Sequence, residues 1–193
     1  MTVNLAKGGN VNLSKEAPGL TDVVVGLGWN ARTTDGVAYD LDASAIACNA
    51  GGRIFHEKYF VFYNNASSSN GEITHSGDNR TGDNTGDDET IEVNLAALPT
   101  GVSKVVMAVT IHDADIRGQN FGMVRSCYVR VVDARNGQEI ARYDLQEDFS
   151  AQTAVLFGEL YRYGNDWKFR AIGEGYAAGL IGIVEDFGMQ VDA

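Results

Sequence analysis

The feature that most limits what this chain can become is a two-residue hydrophobic rhythm, repeated in short bursts along its length. Val23, Val25 and Leu27 fall at every second position, as do Ile91, Val93 and Leu95. Residues 59–63, 104–111 and 128–132 are rich in β-branched and aromatic side chains. Such segments suit strands of sheets buried on at least one face. Asn136-Gly137 lies between two of these segments and Gly164-Asn165 between two others, and both pairs carry the turn chemistry of antiparallel hairpins.

Helical spacing is clearest near the end, where Leu180, Ile183, Val184 and Phe187 occupy i, i+3, i+4 and i+7. Gly188 follows as a residue suited to the left-handed conformation that ends a helix. A helical turn is also expected within residues 115–120. The predicted fold is therefore mainly β: an antiparallel β-sandwich with one or two short helices, one of them near the C-terminus. No composition shift marks a boundary, so residues 1–193 read as one domain.

The charge balance narrows function. Fifteen Lys and Arg face 26 Asp and Glu, a net charge of -11. That surface repels phosphate backbones and anionic lipid, which argues against a general nucleic-acid binder, and it favours cations. The longest strongly apolar run, residues 105–109, is far shorter than the roughly 20 residues needed to cross a bilayer, so no transmembrane segment is expected. The start of the sequence has no signal-peptide apolar region, and the expectation is a soluble, cytoplasmic protein. Cys48 and Cys127 are far apart and show no metal-ligand spacing, which fits small buried side chains.

Residues 64–88 are dominated by Ser, Asn, Gly and Asp and read as a long loop of functional interest. Its acidic part puts five carboxylates, Asp78, Asp83, Asp87, Asp88 and Glu89, into residues 78–89 against Arg80 alone. Charge this dense needs a cation, and Ca²⁺ accepts six to eight carboxylate, amide and carbonyl oxygens in irregular geometry. Zinc fits poorly, because the three histidines are scattered and no thiolate pair accompanies them. The segment is not an EF-hand: counting from Asp78, Arg80 stands at position 3 and Asp83 at the usual glycine. Alternation sends Asp40, Asp42 and Ser44 to one face of a strand, where two carboxylates can converge on one ion. Asn64 and Asn65 add neutral oxygens. The plainer reading, a solvated loop beside an ordinary strand end, stays open on residues alone.

The segments 7–15, 25–29, 40–44, 62–65, 77–82, 86–89, 109–114, 119–122, 157–162 and 167–171 together resemble the TerD family of bacterial tellurium-resistance and stress-response proteins. Among them are Asp40-Leu41-Asp42-Ala43-Ser44, Gly77-Asp78-Asn79-Arg80-Thr81-Gly82 and Gly86-Asp87-Asp88-Glu89. The resemblance implies a C2-like calcium-binding sandwich holding two Ca²⁺ per chain near one end, with no established catalysis. It implies protein partners from the same resistance system, acting at the inner membrane. Carried over by motif, the implied ligands are Asp40, Asp42, Asn64, Asp78, Asp88 and Glu89, with Asn79, Asp83 and Asp87 next. Asn30 stands where the family commonly has Asp, which would weaken a site that used it.

Two further functions are weighed. A Ca²⁺-dependent peripheral membrane module follows from the C2-like fold, although residues 67–71 lack the basic or large apolar side chains that assist docking. A hydrolase or redox enzyme would have to use His112-Asp113 or the two cysteines. The chain has no GxSxG, Walker loop or CxxC, and Gly26-x-Gly28 lacks the third glycine of a dinucleotide motif. The sequence favours a non-enzymatic binding module.

Overall fold

Twelve strands form among the described residues of the computed structural model, which are 1–31, 39–76, 86–147 and 149–190. They make two six-stranded sheets. The first sheet runs in the order β1 (Val3–Leu5), β10 (Gln138–Asp144), β9 (Val124–Asp133), β3 (Asp22–Ala31), β7 (Glu89–Asn94) and β6 (Ile73–His75). The second runs β2 (Asn10–Asn12), β12 (Asp166–Tyr176), β11 (Ala154–Tyr163), β8 (Lys104–Ile111), β4 (Leu41–Cys48) and β5 (Phe60–Val61). Neighbours are antiparallel throughout except β1 and β10, which pair in parallel.

The predicted alternation becomes the sandwich core. Val23, Val25 and Leu27 of β3 meet Ile91 and Val93 of β7, and Leu41, Ala43, Ala45 and Ala47 of β4 close on them from the other sheet. Each fully buried Val, Ile or Leu contributes about 1.5–3 kcal/mol by leaving water. Helices are short: α1 (Leu13–Glu16), α2 (Ala114–Arg117) and α3 (Gly179–Asp186). Ile183, Val184 and Phe187 of α3 pack with Ile46, Cys48, Val106, Ala108 and Leu156 on the outer face of the second sheet. The helix explains the unbroken apolar run in β8, because Val105, Met107 and Val109 face the inter-sheet core while Val106 and Ala108 lie under α3. Gly188, at φ 81°, ends the helix as its sequence position predicts, its N–H donating to the Glu185 carbonyl.

Both expected hairpins are present, joining β9 to β10 and β11 to β12. Two expectations change. Residues 59–63 are not one strand, because a 3-10 turn at Glu57–Tyr59, capped by the His56 ring nitrogen, leaves only Phe60–Val61 to pair with β4. Residues 64–88 are not one loop either, since β6 arises inside them and pairs with β7. The Ser and Asn residues before β6 are bound up with a buried carboxylate: Tyr59 Oη, Ser68 Oγ and Asn70 all donate to Glu72.

Candidate metal centre at the acidic end

The strand directions bring the C-terminal ends of β3, β6 and β8 and the N-terminal ends of β4 and β7 to one end of the sandwich. Five candidate carboxylates among the described residues collect there, and each is held differently. Asp78, Asn79, Arg80 and Asp83 lie outside the described residues; the flanking residues Ser76 and Gly86 are at this same end.

Glu89 is the innermost. It shares the inward face of β7 with Ile91 and Val93, and its side chain is wholly buried. Its Oε2 accepts the Ala43 N–H at 2.6 Å and lies 3.1 Å from His75 Nε2. Ala43 lies on β4 beyond the last β5 pair, so its N–H has no strand partner on that side. Glu89 therefore ties the first sheet to the second where strand pairing stops.

Asp88 is also buried, and its Oδ2 accepts the Trp29 N–H at 2.8 Å. Its own N–H donates to the Leu27 carbonyl, which seats the end of the acidic segment on β3. Asp87 is spoken for by protein cations. Its carboxylate takes Arg130 through Nε and Nη2, at 2.8 to 3.1 Å, and the Tyr128 hydroxyl at 3.0 Å. The same Arg130 reaches Glu139. Burial and the neighbouring Asp87 push the Tyr128 phenol up to about 12.

Gly26 and Gly28 make this clamp possible. A Cβ on Gly26 would lie 2.1 Å from the Asp87 carboxylate, and one on Gly28 would lie 2.4 Å from the Tyr128 ring. The motif that looked like a poor dinucleotide signal is a bare strip of strand on which these two side chains lie. Sequence reading missed the clamp, since Arg130 is 43 residues from its partner.

On the second sheet, Asp40 and Asp42 precede and begin β4. The Asp40 carbonyl accepts the His112 N–H, and its Oδ1 is buried with no hydrogen-bond donor among the described residues. Asp42 shares the outward face of its strand with Ser44, as the alternation predicted, and both are buried. Its Oδ2 lies 3.5 Å from His112 Nδ1, while Asp113 Oδ2 lies 3.5 Å from Nε2. The imidazole thus stands between two carboxylates. Asp113 holds a left-handed backbone at φ 52°, a conformation Asp tolerates better than most residues. Asn64 is exposed in the turn after β5, next to Tyr63, whose ring contacts His112 edge-on.

The donor set suits a hard cation. It is made of carboxylate oxygens, and among the described residues the buried Asp40 Oδ1 has no donor to satisfy it. Among the described residues, no three His, Cys, Asp or Glu side chains form a complete metal cluster. A full coordination shell would need oxygens from residues 77–85 or from water.

Of the two thiols, Cys48 lies near Lys104 and Glu159, and Cys127 lies near Asp88. Both are buried and unbonded to each other, and burial pushes each up to about 12. Native protein treated with iodoacetamide at pH 8 is expected to stay unlabelled at Cys48 and Cys127, with both labelled in denaturant. Rapid native labelling of either, read by mass spectrometry, would show a reactive thiol. No helix among the described residues is long and apolar enough to cross a membrane.

The chain is similar to known proteins along most of its length. Residues 1–187 match the TerD domain. The chain is 53% identical over 189 residues to the tellurium resistance protein TerD of Serratia marcescens, covering 98% of each. It is 50% identical to general stress protein 16U of Bacillus subtilis (strain 168), covering 99% of this chain and all of that one. A crystal structure of a homologue of the telluride resistance protein TerD from Streptomyces coelicolor superposes with a TM-score of 0.67 at 25% identity, covering 86% of this chain and 96% of that one.

Proposed function

Given that the chain belongs to the TerD family of tellurium-resistance and stress-response proteins, we propose that it is a cytoplasmic, non-enzymatic module whose acidic end binds Ca²⁺. The observation that carries this reading is the buried Oδ1 of Asp40, without a donor among the described residues, close to Asp42 and at the end of the sandwich where Asp88 and Glu89 also arrive. Asp40, Asp42 and Asp88 would supply first ligands, joined by Asp78, Asn79 and Asp83. Asn64 would add a neutral oxygen. Asp87 is left out of the set, because Arg130 already neutralises it. Glu89 acts chiefly as the brace beneath the site.

Bound Ca²⁺ would neutralise carboxylates that otherwise repel one another and would order the loops carrying them, presenting a surface to protein partners of the same resistance system. Everything else in the reading belongs to the chain's own residues. His112 sets the orientation of Asp42, and Trp29 N–H fixes Asp88.

Isothermal titration calorimetry on chelator-treated protein tests the proposal, with Mg²⁺ and tellurite as comparison titrants. The expected result is saturable binding near two Ca²⁺ per chain. At a hundredfold excess over Kd, the gain in stability is about 2.7 kcal/mol per site, read as a raised melting temperature. Asp40→Asn with Asp42→Asn should lose at least one site. No heat on Ca²⁺ addition, with no rise in melting temperature, would overturn the reading.

A further inference from the structure

Helix α3 covers the outer face of the second sheet with Ile183, Val184 and Phe187, yet its outward side still exposes Ile181 beside Glu185 and Asp186. Leu180, Ile181 and Val184 form one wall of a groove of about 510 Å³ whose opposite wall is the stacked pair Phe60 and Phe62. Leu180 and Ile181 also line a second groove of about 260 Å³ that runs on to Ile116 of α2. Ile181 is 55% exposed and Ile116 86% exposed. An apolar track therefore follows the length of α3, roughly 12 Å for its turns alone, and ends beside the acidic end.

The rim decides what fits. Glu185 is four residues from Ile181, so it sits on the same stripe of the helix. Glu57 flanks the first groove, and Asp113 and Asp115 flank the second. Four cations lie nearby: Lys58 on the first rim, Arg53 past the helix end at Gly188, Lys104 over the Phe187 ring on the sheet side, and Arg117 next to Ile116 in α2. Acidic side chains around an apolar furrow repel an anionic membrane. They also repel a second copy of this chain, whose net charge is -11. A partner with apolar residues on one side and basic residues flanking them gains both contacts.

We infer that the α3 track is a docking groove for a basic amphipathic helix of a partner protein, seated by apolar side chains between Ile181 and Phe62 and held by its Lys or Arg against Glu57 and Glu185. This surface is built from residues distinct from the proposed calcium ligands, so the inference stands apart from that reading.

Fluorescence anisotropy in EDTA tests it. The probe is a fluorescein-labelled peptide of about fourteen residues, leucine and lysine at helical spacing, roughly 21 Å long when helical. Its scrambled isomer and a leucine and glutamate counterpart serve as comparisons. The expected result is saturable binding of the leucine and lysine helix, at least tenfold tighter than either comparison. Ile181→Asp should weaken it at least tenfold even though it adds negative charge, which separates seating in the groove from plain electrostatic attraction. Glu57→Lys with Glu185→Lys, at exposed positions, should weaken it similarly.

Equal or tighter binding by Ile181→Asp would overturn the inference, as would equal binding of the three peptides or no binding at all. Two other occupants would also overturn it. One is a concentration-dependent dimer in sedimentation velocity that Ile181→Asp abolishes. The other is co-sedimentation with phosphatidylserine vesicles that the peptide does not compete. Running the series in EDTA keeps its failure distinct from a failure of calcium binding, which the calorimetry reads separately.

Discussion

Replacing Glu89 with alanine is expected to cost roughly 3–5 kcal/mol in EDTA, from buried hydrogen-bonding groups that lose their partner and a cavity opened between the sheets. For a chain of this size that is a drop of roughly 10 °C in Tm. The carboxylate is fully buried and does two things at once. It accepts the Ala43 N–H across the gap between sheets, and it receives His75 from β6. Alanine leaves that N–H and that imidazole buried without this acceptor, and it opens a void between the sheets. Glu89→Gln keeps the volume and an acceptor oxygen, so it should cost less than half as much. Thermal melts in EDTA with and without Ca²⁺ separate bracing from ligation. Should Glu89→Ala and wild type melt together in EDTA and diverge only with Ca²⁺, Glu89 would be a metal ligand and not a brace.

The same residue shows what the sequence made legible. Period-2 spacing placed Ile91 and Val93 in the core, and by the same count Glu89 belonged to that inward face. Local composition groups it with the acidic loop instead, because the dense carboxylates before it mask the strand period that begins there. The alternation at Asp40 to Ser44 is legible, since both sheet faces there carry their signal within five residues. Arg130 and Tyr128, by contrast, reach Asp87 only because β9 and β7 flank β3, and no local pattern encodes which strands become neighbours. Gly26 and Gly28 were the available clue: two glycines on one face of a strand imply that something lies flat against it. The C-terminal helix was legible in spacing and in its terminating glycine. The exposure of Ile181 on it was not, because one stripe of hydrophobic residues does not say where the sheet stops covering it.

Acid should expose a second buried carboxylate, Glu72. Burial by itself would raise this group, but hydrogen bonds from Ser68, Asn70 and Tyr59 outweigh it and hold the carboxyl down from its ordinary value of 4.5 to about 2. A carboxylate lowered on folding stabilises the native state above its unfolded value, and the contribution is lost as pH falls through the folded one. Glu72 therefore contributes roughly 3 kcal/mol at neutral pH, declining from about pH 4.5 down to about pH 2. Glu72→Gln removes that dependence and sets an amide N–H₂ or a lone acceptor against three donors. Urea unfolding should place the variant roughly 3 kcal/mol below wild type at pH 7, with the gap shrinking steadily toward pH 2. Because Asp133 is also held low by Arg135, wild type alone would show a broader acid transition, and the difference between the two proteins is what isolates Glu72. A gap that stays constant from pH 7 to pH 2 would mean that folding leaves the Glu72 carboxyl unshifted, and one that moves in wild type's favour as pH falls would mean that its ring of donors surrounds a neutral acid.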